Sequence, residues 1–276
     1  MGTLRRILSD AMTLEIGFLG AGHMGHAILE GGLAAGLWSP SSVLVVDREP
    51  DRRARATEVG CRVDVQTESL REVPVLVCCV RPQDFPAAAA AIGPSYGQLV
   101  ISVMAGVESQ TIADAFGAGT RVIRAMPNAP AGIGRGMTAI ARGVAATEDD
   151  AGYADRLFAG VGRTVQVDET EMCAVTAVSG SGPAWVYLLA EAIRIEAVHL
   201  GLSDETADTL IRGTVEGAAA MLGSSELSPA ALCDAVTTPG GTTEAGLAAM
   251  RSARLVEAVR AGVAAACRRG EELAEK

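Results

Sequence analysis

The feature that most constrains this chain is Gly20-Ala21-Gly22-His23-Met24-Gly25, a GxGxxG placed directly after the apolar run 14–19. Directly behind it, residues 24–35 carry Ile28, Leu29 and Leu33 at helical spacing. Strand, glycine turn and helix in that order open a βαβ unit. The first glycine permits a tight turn, the second lets backbone approach a pyrophosphate, and the third lets helix and strand pack closely. The helix N-terminal amides are then left to hold the anion. The motif predicts a dinucleotide site.

The unit repeats along the chain. Residues 43–46 read as a second strand closed by Asp47, and 50–59 as a charged helix ending at Gly60. Residues 75–80 are continuously apolar, as a strand covered on both faces must be, and the Ala-rich run 85–92 supplies the crossover helix. Further strands are expected at 99–103, 121–125, 137–141 and 164–167. Beyond them, 171–200, 204–222 and 244–269 show helical spacing. The expected architecture is α/β, a Rossmann-like dinucleotide-binding domain over 14–168 followed by an all-helical domain over 169–276. Gly213, Gly217, Ala218, Ala219 and Ala220 surround one of those helices with small apolar residues, so a second subunit is expected to cover it.

Composition narrows the partners. Aromatic residues make up only 3% of 276 while Gly occupies 32 positions, which favours small-residue helix packing over a β-sandwich. A formal charge of -10 disfavours nucleic acid and an anionic membrane surface, though an anionic small molecule can still meet a local basic pocket. The 6 Cys include no CxxC, so neither a zinc site nor a disulfide framework is expected, and a reducing cytoplasm fits. No metal site is expected from His23, His26 and His199; His23 is placed near the cofactor. Residues 1–13 read as a loose leader or as the product of a start upstream of Met12, and no apolar, uncharged window of about 18 residues is expected to span a membrane.

Several residues are candidates for the site. Asp47 stands where an acidic residue accepts from the adenosine ribose hydroxyls, which favours NADH; Arg48, with Arg52 or Arg53, can instead pair with a 2′-phosphate and favour NADPH. Val80, Arg81 and Pro82 end the third apolar strand, where the sheet sets a loop against the cofactor; a surface helix start is the alternative for Arg81. In Arg124-Ala125-Met126-Pro127-Asn128-Ala129-Pro130 two prolines force a loop, and Asn128 is the polar residue expected to face a ligand unless it caps its own backbone. Residues 179–184 and 237–243 offer hydroxyls and free amides that suit a small carboxylate, or else two ordinary capped helix starts. No general acid stands out, and Cys173 has no identifiable base beside it. Hydride transfer needs neither, because the cofactor carries the chemistry.

Together these motifs resemble the pyrroline-5-carboxylate reductases of proline biosynthesis, from about residue 14 to residue 275. The carriers are GAGHMG, RAMPNAP at 124–130, TAVSGSGPAW at 176–185 and TTPGGTTEAGL at 237–247. The resemblance implies reduction of the ring C=N of 1-pyrroline-5-carboxylate to L-proline by NADPH or NADH in a soluble cytoplasmic enzyme. It implies Thr243 at the ring nitrogen or its water, with Ser181, Gly182, Gly241 and Thr242 around the carboxylate. Pro127 and Asn128 would line the nicotinamide side, and Gly20, Gly22, His23, Met24 and Gly25 the pyrophosphate. It also implies a homodimer intertwined through the helical domain, often built into rings of dimers, with a pocket shared by both subunits. The chain departs from the family pattern at Arg81 (commonly Lys), Cys173 (Asp), Trp185 (Tyr or Phe) and Ala220 (often Lys). A larger cyclic imine such as piperideine-carboxylate, or a catalytically silent homologue, is the alternative. A β-hydroxyacid dehydrogenase would want a helix lysine, and the helical half has none before Lys276.

Overall fold

The computed structural model describes residues 13–274 other than Tyr96 and Ala118. The leader reading of residues 1–13 falls, Thr13 apart, outside them.

The first half alternates strand and helix: β1 (Ile16–Leu19), α1 (His23–Ala34), β2 (Val43–Val46), α2 (Pro50–Glu58), β3 (Arg62–Asp64), β4 (Val75–Cys78), α3 (Phe85–Ile92) and β5 (Leu99–Ser102). It continues with α4 (Ser109–Phe116), β6 (Arg121–Met126), β7 (Gly136–Arg142), α5 (Glu148–Ala159) and β8 (Gly162–Gln166). The strands form one sheet in the order β3-β2-β1-β4-β5-β6-β7-β8. All neighbours are parallel except β6 and β7. Side chains alternate between the faces with the period of two that a strand imposes. Ile16, Phe18, Val43 and Val45 join Ile28 and Leu29 of α1 and Leu157 and Phe158 of α5 on one face. Leu19, Leu44, Val46 and Leu76 join Phe85 and Ile92 of α3 and Ile112 and Phe116 of α4 on the other. Covered on both sides, these strands need to be apolar throughout, which is why they are legible in the sequence.

Strand order reverses at β1, which lies between β2 and β4, so a crevice opens beyond the carboxyl ends of these strands. β3, α4 and α5 were not among the expected elements. β3 is a three-residue edge strand without an apolar run. α5 does carry a start signal, since Thr147 and Asp150 form a reciprocal capping box.

The helical half departs further from expectation. The run expected as one helix over 171–200 is α6 (Met172–Val175), a π-helical turn (Thr176–Gly180) and α7 (Gly182–His199). The serines of 179–184 therefore do not cap a helix start; they lie inside a continuous helical run with one widened turn. α8 (Asp204–Ser224) and α9 (Pro229–Ala235) follow, the latter announced by Ser228 as cap and Pro229 in the first turn. The run expected over 244–269 is two helices, α10 (Thr242–Ser252) and α11 (Leu255–Ala274), because the chain turns at Ala253 and at Arg254, whose φ is 60°.

By contacts the chain divides into a unit reaching Ser181, rejoined from Ala266 onward, and a unit of Gly182–Ala265. By these contacts residues 169–181 group with the sheet. Met172 is buried against Ala139 and Ala141 of β7, and this anchors the segment. In the smaller unit only Ala207 and Ile211 are buried, while Tyr187 and Leu188 are 64% and 69% exposed. The reading that no uncharged apolar window exists is corrected here. Residues 172–190 carry no charge, and Glu169–His199 is long and apolar enough to cross a membrane by length and composition, with an 18-residue window of mean hydropathy 1.3.

Candidate active site

The crevice beyond β1 is built by close approach. Gly20 has φ +90°, and a Cβ there would stand 3.1 Å from the carbonyl of Cys79. A Cβ on Gly25 would come within 2.5 Å of the Gly20 oxygen, so only glycine lets α1 start this near the strand. Gly22 differs: its Cβ would meet only Arg52 Nη1, at 3.9 Å, which leaves its outer side open to a ligand. Gly22 is also the N-cap of α1 and makes no side-chain cap, so the first amides of the helix point out unpaired by a cap. His23 is exposed and lies against Gly132 in the loop after β6, with Nε2 3.2 Å from where that glycine's Cβ would be. Met24 packs against the core and Gly25 is buried.

A cavity of about 510 Å³ runs along this turn, lined among others by Gly20, Gly22, Asp47, Arg48, Val80 and Arg81. Pro82 begins the short turn that follows Arg81. Asp47 lines this cavity and is also engaged within the chain. It is 6% exposed; Oδ2 accepts from the Ala21 amide at 2.8 Å and from Arg52 at 3.4 Å, and Oδ1 accepts from the Glu49 amide at 2.9 Å. Arg53 donates to the Asp47 carbonyl at 2.6 Å. Asp47 thus ties the end of β2 to the glycine turn. Arg48 and Arg81 are exposed at the mouth and share Asp84, at 4.0 and 2.8 Å. The hydrogen bond from Arg81 holds the Asp84 carboxyl below the usual carboxylate range.

A second group gathers at the end of β6. Pro127 is buried. Asn128 Oδ1 accepts from the Met137 amide at 2.9 Å, and Nδ2 donates to the Ser179 carbonyl at 3.3 Å. The loop of 124–130 and the π turn before Ser181 are therefore brought together, by an amide expected to face a ligand. Glu169 went unnoticed in the sequence. It accepts from the Ser109 amide at 2.7 Å, from the Ser109 hydroxyl, and from Arg124 at 3.0 Å, joining β6, α4 and the approach to α6. Burial pushes its carboxyl up, but the Ser109 and Arg124 donors outweigh this and hold it below its ordinary range. The only sequence signal was the capping box of Asp168 and Glu171 around it.

Thiols are poor candidates for nucleophiles. Burial pushes Cys79 up to about 12, and Cys78 further; burial, then the neighbouring Cys267 and Glu271, also raises Cys173.

In the smaller unit, residues 237–243 do form a turn at a helix start. Gly241 is the N-cap of α10, so Thr242 and Thr243 open that helix, both exposed. The Gly240 amide is not free, since it donates to Glu244 Oε2 at 2.7 Å. Gly182 is the first residue of α7, and Ser181 closes the π turn through its amide, 2.8 Å from the Thr176 carbonyl.

Comparison with known proteins bears on both halves. Residues 169–273 match a family model described as pyrroline-5-carboxylate reductase dimerisation, and 15–106 match one described as NADP oxidoreductase, coenzyme F420-dependent. A pyrroline-5-carboxylate reductase of Methanosarcina acetivorans is 38% identical over 95% of this chain and 98% of its own. A solved pyrroline-5-carboxylate reductase from Coxiella burnetii superposes with a TM-score of 0.88 at 32% identity, covering 96% of this chain and 100% of that one. A Plasmodium falciparum pyrroline carboxylate reductase, solved with NADP bound, gives 0.83 at 26% identity over 95% and 98%. With a glycine turn at the switch point of its sheet, a helical half that matches the dimerisation model and relatives alike from end to end, this chain belongs to the pyrroline-5-carboxylate reductase family.

Proposed function

We propose that this chain reduces the ring C=N bond of 1-pyrroline-5-carboxylate to L-proline. The observation that carries this reading is likeness to named reductases over 95% of the chain, with the turns at 20–25, 124–130, 176–185 and 237–247 all intact. When bound, the dinucleotide would supply a hydride for the carbon of the protonated ring C=N, whose π electron pair then rests on the nitrogen that already carries its proton. The chain's own task is to hold the ring at reacting distance and keep water out. Ser181, Gly182, Gly241 and Thr242 surround the carboxylate, largely through backbone donors, and Thr243 hydrogen-bonds at the ring nitrogen. Gly20, Gly22, His23, Met24 and Gly25 receive the pyrophosphate, and Val80, Arg81, Pro82 and Pro127 border the cofactor.

NADPH is the preferred of the two cofactors. The Asp47 carboxylate is engaged by the Ala21 and Glu49 amides, while Arg48 and Arg52 stand at the cavity with guanidinium groups suited to a 2′-phosphate. The exposed apolar faces of the helical half support a homodimer in a soluble cytoplasmic enzyme, with dimers further assembled into rings and each pocket shared by two subunits. The charge of -10 supports a small-molecule partner over nucleic acid or membrane.

The test is oxidation of NADPH and of NADH, in parallel, by purified protein given pyrroline-5-carboxylate, with proline identified as product. Turnover with a higher kcat/KM for NADPH supports the whole reading. Binding of the cofactor without turnover overturns the activity, and equal kcat/KM for the two cofactors overturns the role given to Arg48 and Arg52.

A further inference from the structure

The helical run from Met172 to His199 contains a flaw that its own backbone does not repair. In an α-helix the carbonyl of residue 179 accepts from the amide of residue 183, and Pro183 has no N–H to give. The chain widens just before this point into the π turn Thr176–Gly180, closed by the Ser181 amide on the Thr176 carbonyl at 2.8 Å. Turns of this kind are costly irregularities and recur at functional sites.

A donor for that carbonyl comes from 51 residues earlier in the chain. Asn128 Nδ2 reaches the Ser179 oxygen at 3.3 Å and the Ser179 hydroxyl at 3.4 Å. The orientation of the amide is not arbitrary. Its oxygen must face the Met137 N–H of β7, at 2.9 Å, so its nitrogen is aimed at the π turn. Met126, two residues earlier, lies against the same turn: a Cβ on Gly180 would stand 2.6 Å from its terminal methyl. Loop 124–130 and the turn at 176–180 are thus in contact, with a spare N–H on Asn128 aimed at the Ser179 carbonyl.

We infer that Asn128 is a positioning residue that supplies the hydrogen bond Pro183 denies to the Ser179 carbonyl and thereby fixes the turn ending at Ser181 and Gly182. This rests on the reading of Ser181 and Gly182 as part of the carboxylate site. It reassigns Asn128 from a contact of the nicotinamide to a clasp on the substrate side.

Hydrogen–deuterium exchange of the full-length protein without ligands tests the clasp independently of activity. Asn128→Ala speeds exchange across residues 176–182 by roughly three- to tenfold, the worth of one net hydrogen bond. Adding Pro183→Ala, which restores an N–H four residues after Ser179, reverses most of that gain. Asn128→Asp keeps the acceptor for Met137 but offers no donor, so it behaves as Asn128→Ala does and replaces it if that variant does not fold. In turnover, the KM for pyrroline-5-carboxylate rises by a similar factor, roughly three- to tenfold, while the dissociation constant for NADPH stays within about twofold. Unchanged exchange in both Asn128 variants overturns the inference. So does a loss of NADPH affinity that matches the rise in KM and is not relieved by Pro183→Ala. If the unmodified protein does not reduce pyrroline-5-carboxylate, the functional reading fails, and the exchange experiment still decides the clasp.

Discussion

The sheet-bearing unit and the helical unit of Gly182–Ala265 handle apolar side chains in opposite ways. In the first, Phe18, Ile28, Leu76, Ile101 and Ile123 are wholly buried within the chain. In the second, Tyr187, Leu188 and Leu189 stay exposed and only Ala207 and Ile211 are covered. The difference follows from where each element satisfies its backbone. A parallel strand has no partner for its N–H and C=O groups until its neighbours are in place, so assembling the sheet brings both apolar faces under helices. A helix closes its hydrogen bonds by itself and can form with its apolar stripe uncovered by the rest of its own chain.

Two substitutions break the comparison most directly. Phe18→Ala removes a fully buried ring packed edge-on to Trp38 and should cost about 3–5 kcal/mol in urea unfolding. Leu188→Arg should leave the sheet folded by circular dichroism but lower the light-scattering mass from that of the proposed homodimer to that of a monomer. If Leu188→Arg unfolds the sheet, or leaves the mass unchanged, the two units do not divide their apolar surface as described.

A smaller effect is expected at the glycine turn. Gly25→Ala must displace the Gly20 carbonyl, 2.5 Å from the new Cβ, at a cost of about 1–3 kcal/mol, and should weaken NADPH binding in a fluorescence titration. Unaltered affinity would separate the turn from the cofactor. Thr243→Ala, in the helical unit, should do the reverse: kcat falls by roughly tenfold while NADPH affinity holds. Parallel losses in both would remove Thr243 from the reacting ring.

The smallest effect is acid-dependent. Glu169 is held below its ordinary range in the folded chain, so its interactions add stability above the unfolded carboxylate value, and that stability is lost as pH falls through the folded value. The urea midpoint should therefore decline on acidification below about pH 4, and Glu169→Gln should flatten that decline. An identical pH profile in the variant would mean that the Ser109 and Arg124 contacts do not distinguish the charged form.

Much of the sheet was legible because its strands are covered on both faces and so are apolar at every position, as at Val43–Val46 and Val75–Cys78. The glycine turn was legible for a different reason: Gly20 has φ +90° with a Cβ position 3.1 Å from the Cys79 backbone, and a Cβ on Gly25 would stand 2.5 Å from the Gly20 oxygen, so a side chain at either position is strained. Resemblance of the turns at 124–130, 176–185 and 237–247 carried the reaction class. β3 stayed hidden because a short exposed edge strand needs no apolar pattern, and α9 because seven residues hold too few turns to show a period.

The sequence by itself determined the order of strand, glycine turn and helix, and the presence of Asp47 just past β2, because local chemistry of glycine and apolar period acts over a few residues. Only the tertiary structure decided what the polar groups do. Asp47 accepts from an amide 26 residues away, Glu169 from a hydroxyl 60 residues away, and Asn128 donates to a carbonyl 51 residues away. A hydrogen bond acts over about 3 Å and carries no periodic trace along the chain, so its partner is set by the fold that brings two distant segments together.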